Sequence, residues 1–143
     1  MPTLVHMAVH ELRTRPLVLH IDDNRDCRDL VSQILQLGGL YELASAEDGR
    51  RGLALAHKMK PNLILLDFRL PDMDGLDVLL HLQSNARTRD VPVVIVSAEA
   101  HRDIVARCLA SGAKDYITKP FDLHHFVQVV ADAAAAPMVA PAN

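Results

Sequence analysis

Aromatic side chains are scarce in this 143-residue chain, with three Phe, two Tyr and no Trp. A stacking platform for single-stranded nucleic acid needs such rings, and a net charge of −3 offers no basic footprint for a phosphate backbone. Only two cysteines occur, Cys27 and Cys108. They are too few for a disulfide framework and lack metal-ligand spacing. No apolar run approaches the roughly 18 residues of a membrane-spanning helix, and the N-terminus has no long apolar core of a secretory signal. What remains is ordinary for a globular protein, with half the residues apolar and 23% charged. The length suits one domain with a substantial core. The expectation is a soluble cytoplasmic domain with no direct nucleic-acid or membrane partner.

Two patterns alternate along the chain. Short apolar runs at Leu17 to Ile21, Leu63 to Leu66 and Val91 to Val96, with weaker ones at Tyr41 to Ala44 and Tyr116 to Thr118, read as strands. Helix-period segments lie between them. In the first, Cys27, Leu30, Val31, Ile34 and Leu35 recur on one helical face, and Gly38-Gly39 reads as its C-cap. The second runs from about Glu47 to Met59, the third from Leu76 to about Ser84 and the fourth from Arg102 to Ser111. The fifth starts at Asp122, a plausible N-cap, with Leu123, Phe126, Val127 and Val130 on one side. Gly75, ahead of the third helix, reads as a turn with positive φ. Five strands alternating with five helices predict a parallel, doubly wound α/β sheet of the flavodoxin-like type.

Ligands of such sheets bind at the carboxyl ends of the strands, near the point where strand order reverses. Here those ends carry Asp22 and Asp23, Asp67, Ser97 and Lys119. The stretch "NLILLDFRLPDMDG" shows it most sharply, because a run of four buried apolar residues closes on a carboxylate. Three convergent carboxylates repel unless protons or a cation join them. A hard, oxygen-seeking divalent ion such as Mg²⁺ is the simplest partner, and with a lysine beside it the rim becomes attractive to phosphate.

The stretches "VLHIDDNRD", "LILLDFRLPDMDG", "VPVVIVSA" and "GAKDYITKPF" together resemble the receiver domain of two-component response regulators, over about residues 16 to 135. The resemblance implies a phosphoacceptor regulator rather than an enzyme acting on other substrates. Asp67 would accept the phosphoryl group. Asp22, Asp23, Asp67 and the backbone carbonyl of Arg69 would hold Mg²⁺ or Mn²⁺. Ser97 would hydrogen-bond the phosphoryl oxygens, Lys119 would pair with their charge, and Tyr116 would act with Ser97 as a switch. The donor would be a sensor histidine kinase or a histidine phosphotransfer protein. The surface expected to change is that of the fourth helix, fifth strand and fifth helix, which also offers a route to a homodimer or to a downstream partner that the sequence does not name. Ala98 leaves the phosphoryl group room, and Lys119-Pro120 suits a cis peptide.

Taken singly, each of these residues has a simpler reading: a solvated acidic turn, a capping aspartate, a surface lysine. Their joint placement at the strand ends favours the site. His20, inside the first strand, reads as a core histidine with its hydrogen bonds satisfied, and His124-His125 as no metal site. A flavodoxin needs a hydroxyl- and glycine-rich loop where "DDNRD" stands. A haloacid-dehalogenase-type phosphatase needs a second acid where Asn24 stands. A phosphorylation-independent interaction module on the same fold is the remaining alternative. "AVHELRTRPL" resembles a histidine-kinase phosphoacceptor box centred on His10, interrupted by Arg15 and followed too soon by a strand. Residues 1–15 and 136–143 read as a mobile leader and a flexible tail flanking a receiver domain of 16–135.

Overall fold

A computed structural model describes residues 13–135. His10 and most of the leader, together with the tail 136–143, lie outside the described residues. The strands are β1 (Leu17–Ile21), β2 (Glu42–Ala46), β3 (Leu63–Leu66), β4 (Val93–Ser97) and β5 (Asp115–Thr118). The helices are α1 (Arg25–Gln36), α2 (Gly49–Met59), α3 (Gly75–Ser84), α4 (Arg102–Ala110) and α5 (Leu123–Ala135). All strand pairs are parallel, in the order β2-β1-β3-β4-β5. The direction of winding reverses between β1 and β3, the strands that end at Asp22 and Asp67.

Every residue of β1, β3 and β4 is buried, whereas the edge strands β2 and β5 are mostly half-exposed. That is why the inner strands read as continuous apolar runs. Alternate residues serve two cores. Leu19, Ile21, Ile64, Leu66 and Ile95 pack with α2, α3 and α4 through Ala56, Leu79, Leu82 and Cys108. Val18, Leu63, Leu65, Val94 and Val96 pack with α1 and α5 through Val31, Leu35, Phe126 and Val130. Side-chain caps start the helices close behind the strand ends: Asn24 accepts from Cys27 N–H, Asp48 from Arg51 N–H, Asp74 from Asp77 N–H and Asp122 from His125 N–H.

Several boundaries differ from the sequence reading for local reasons. β4 starts at Val93 because Val91 N–H closes a turn on Thr88 C=O and Pro92 follows. β2 pairs from Glu42, opposite Leu17, and extends to Ala46. Leu30 of α1 is 49% exposed, as are Leu123 (56%) and Val127 (42%) of α5, so the buried faces are narrower than the periodicity suggests. The α1 helix ends at Gln36 with Leu37 extended, and Gly38 and Gly39 form a separate turn at positive φ. Gly75 does not have positive φ. It is required by close approach: a Cβ there would sit 2.8 Å from Phe68 Cα and 2.9 Å from Asp67 O.

Candidate functional site

The hydrogen-bond ladder continues one residue past the strands and sets where each functional group emerges. Asp22 N–H donates to Ala46 C=O (3.0 Å), Asp67 N–H to Ile21 C=O (2.9 Å) and Lys119 N–H to Ser97 C=O (2.9 Å). The backbone thus delivers Asp22, Asp67, Ser97 and Lys119 to one rim. Lys119-Pro120 is cis.

Lys119 Nζ lies 2.7 Å from Asp22 Oδ2 and 3.2 Å from Asp67 Oδ2. Asp22 is fully buried, Asp67 is 7% exposed, and Asp23 is open to solvent. Carboxylate oxygens of Asp22, Asp23 and Asp67 all come within 4.8 Å of one another. Burial works against the Lys119 ammonium, but Asp22 and Asp67 outweigh it and raise its pKa. Burial likewise works against the Asp22 carboxylate. The His20 ring, Lys119, Asn24 N–H and Cys27 outweigh it and hold Asp22 below the usual carboxylate range. Three carboxylates against one ammonium leave two negative charges uncompensated on an oxygen-only donor set. A hard divalent cation with water in its remaining positions fits that deficit.

Glu99, two residues past Ser97, ties the neighbouring elements together. Its N–H donates to Ser97 Oγ (3.1 Å), its C=O accepts from Tyr116 O–H (2.5 Å), and its Oε2 accepts from Arg69 Nη2 (2.6 Å). Arg69 also lies over the Phe68 ring at 5.2 Å. The Tyr116 phenol is pushed up to about 12, chiefly by burial, with Cys108 next, against a lowering contact from Ser97. Arg69 and Glu99 carry opposite charges, each two positions beyond a strand-end residue, Asp67 and Ser97. The two backbone bonds of Glu99 had no sequence signal, because any residue supplies an N–H and a C=O.

Three other features were missed. Asp72, from the loop after β3, accepts Gly49 N–H (2.8 Å) and Arg50 N–H (2.9 Å) and so caps α2 from across the rim. Those backbone bonds pull its carboxyl below the ordinary value. His20 is 2% exposed, but neither ring nitrogen has a hydrogen-bond partner among the described residues, which corrects the expectation of a satisfied core histidine. Its Nε2 lies 3.5 Å from Asp22 Oδ2. Cys27, half-buried on α1, completes a cluster in which His20, Asp22 and Cys27 ligand atoms come within 4.8 Å of each other. Burial, then Asp22, pushes the Cys27 thiol up to about 11. His124 and His125 are exposed and belong to no such cluster among the described residues.

The fold is that of a flavodoxin-like doubly wound domain with an acid-rich rim at its switch point. The chain belongs to the response regulator receiver domain family, whose profile matches residues 18–131. It is 41% identical over 112 residues to the DNA-binding dual master transcriptional regulator RpaA of Synechocystis, covering 78% of this chain and 46% of that protein. The signal receiver domain of a putative Luxo repressor protein from Vibrio parahaemolyticus superposes with a TM-score of 0.78 at 31% identity, covering 84% of this chain and 90% of that one. The Mn²⁺-bound form of response regulator Rcp1 superposes at 0.74 with 27% identity, covering 89% and 99%. The chain spans about half the length of the curated relatives it matches. It is therefore a phosphoacceptor signalling domain of the two-component type. No described helix is long and apolar enough to cross a membrane.

Proposed function

We propose that Asp67 is the phosphoacceptor and that its donor is a phosphohistidine on a sensor kinase or phosphotransfer protein. The observation that carries this reading is the single ammonium of Lys119, shared between Asp22 and Asp67 at the mouth of the switch point. An Asp67 carboxylate oxygen attacks phosphorus, the P–N bond breaks, and its electron pair returns to the departing imidazole. Lys119 lies within 3.2 Å of the acceptor carboxylate and pairs with the charge on the transferred group. Ser97 Oγ, at the end of the adjacent strand, would hydrogen-bond a phosphoryl oxygen.

Asp22, Asp23, Asp67 and the Arg69 carbonyl would hold Mg²⁺ or Mn²⁺, and the Mn²⁺-bound Rcp1 neighbour supports a divalent ion in this fold. When bound, such an ion neutralises charge on the equatorial oxygens. The chain acts only on its own phosphoryl group, so it is a regulator rather than an enzyme. Its setting is that of its donor, the cytoplasm.

Coupling to the α4–β5–α5 surface runs through Glu99. If Ser97 Oγ turns to the phosphoryl group, the Glu99 N–H loses its acceptor, and the loop that also holds Tyr116 O–H is released. Leu109, Leu123 and Val127 are exposed on α4 and α5, apolar surface suited to a protein partner or a second copy. The decisive experiment is phosphoryl incorporation. With acetyl phosphate and Mg²⁺, intact mass should rise by one phosphoryl group in the wild type and in His10→Ala, and not in Asp67→Asn or with chelator. Incorporation that survives in Asp67→Asn would overturn the assignment.

A further inference from the structure

We propose that His20, Asp22 and Cys27 form a second cation site, selective for a borderline transition ion of the zinc class, which shares Asp22 with the acidic rim and so opposes the hard-ion site.

His20 is buried inside β1. An imidazole that is 2% exposed with neither nitrogen hydrogen-bonded among the described residues is an unusual buried polar group. Its Nε2 lies 3.5 Å from Asp22 Oδ2, at the outer limit of hydrogen-bond length. Ligands bound at about 2.0–2.3 Å in a tetrahedron lie about 3.3–3.8 Å from one another. The His20–Asp22 separation therefore matches two neighbouring ligands of one ion better than a donor and its acceptor. The third donor comes from α1. Asn24 caps that helix through Cys27 N–H (2.9 Å), which fixes Cys27 at its first turn beside the end of β1.

The donor chemistry discriminates between ions. Nitrogen, sulfur and a single carboxylate suit zinc-class ions, whereas the Asp22, Asp23 and Asp67 set, oxygen throughout, suits Mg²⁺ or Mn²⁺. On binding, the ion replaces the thiol proton of Cys27, which passes to solvent. A thiolate, a carboxylate and a neutral imidazole then balance a divalent charge, so the buried cluster becomes neutral. His20 also lines a groove of about 190 Å³ between α1 and β2, bounded by Arg28, Ser32 and Ser45, which offers a path in.

Asp22 Oδ2 is the oxygen that faces both His20 and Lys119. An ion drawn to the His20 side takes that oxygen from Lys119, which keeps its contact with Asp67. The expected consequence is antagonism between the two ions. This part, unlike the site itself, rests on the reading of Asp22 as a hard-ion ligand.

Co²⁺ is the probe, because a thiolate-to-cobalt charge-transfer band reports sulfur ligation and is blind to the surface histidines. The wild type should develop this band with one Co²⁺ per chain, and Zn²⁺ should abolish it. The band should disappear in Cys27→Ala, fall at least tenfold in affinity in His20→Val, and survive in Cys108→Ala and Asp23→Asn. Zn²⁺ should also shield Cys27, and not Cys108, from a disulfide reagent mapped by mass in the wild type, a measurement that needs no variant to fold. A wild type without the band, a band that persists in Cys27→Ala, or an unshielded Cys27 would each overturn the site. Stoichiometric Zn²⁺ should slow phosphoryl incorporation severalfold in the wild type and leave His20→Val unaffected. Equal slowing in both would refute the antagonism. A wild type that takes no phosphate without Zn²⁺ would instead refute the phosphoacceptor reading.

Discussion

The Arg69–Glu99 pair links the loops that follow Asp67 and Ser97, with Arg69 67% exposed and Glu99 20%. Glu99 lowers its proton affinity to meet the guanidinium, and Arg69 raises its own, both through their mutual hydrogen bond first. A pair this exposed contributes little to stability, so its role should appear in kinetics. Hydrolysis of an acyl phosphate needs water in line behind phosphorus, and on the proposed reading of Asp67 the Arg69–Glu99 pair would act as a screen against that water. Arg69→Ala and Glu99→Ala should each speed phosphate loss severalfold, and the double variant should be no faster than the quicker single. Unchanged decay in both would dismiss the screen. Tyr116 supplies a separate test at high pH. Its phenol, ordinarily at 10.0, is pushed up to about 12 in the folded protein, by burial first. The protonated hydroxyl is thus bound more tightly in the folded state. The associated stability is complete below the unfolded value of 10.0 and is lost as pH rises through about 12. The difference between wild-type and Tyr116→Phe tyrosinate absorbance should centre near the higher value, and Tyr116→Phe should lose stability less steeply across that window. A difference curve centred on the ordinary value would show the hydroxyl to be solvated.

Elements were legible wherever burial imposed a period. The fully buried β1 and β3 were found with their bounds, because both faces of each strand are covered and the apolar run is unbroken. The half-exposed β2 was shifted by a residue or two, because its start is fixed by pairing with Leu17 rather than by its own side chains. Gly75 was identified as constrained but for the wrong reason. Its need is space against the backbone of Phe68 and Asp67, which only the folded loop reveals. Since backbone cannot rotate away as a side chain can, Gly75→Ala should cost about 1–3 kcal/mol and, on the proposed reading of Asp67, lower phosphoryl incorporation, because the atoms pushed belong to the Asp67–Phe68 peptide. Denaturant unfolding together with incorporation kinetics would check both. A neutral effect on each would mean that the loop relaxes freely. The α2 cap by Asp72 was illegible for a related reason, since its two backbone partners lie more than twenty residues earlier in the chain.

At the scale of the molecule, the acidic site was legible because topology makes strand ends meet, so that residues far apart in sequence become neighbours once the βαβ pattern is recognised. The wiring behind it was less so. That Ser97 and Tyr116 belong together came from resemblance, whereas the connection itself is Glu99, which bonds to both through its backbone. This makes a prediction about how the site speaks to the α4–β5–α5 surface. In Ser97→Ala the Glu99 N–H has already lost its hydroxyl acceptor, so phosphorylation has no bond left to break there. On the proposed reading Asp67 should still take phosphate, since its carboxylate and Lys119 are untouched. Backbone chemical shifts around Asp67 should then change on phosphorylation much as in the wild type, while those of α4 and β5 should change far less. The unphosphorylated Ser97→Ala protein should already show some of the wild-type displacement at Glu99 and Tyr116, because the loop starts half released. Full-sized changes on α4 and β5 in this variant would place the coupling elsewhere, through α3 or through the metal ligands, and would leave Ser97 as a phosphoryl contact alone.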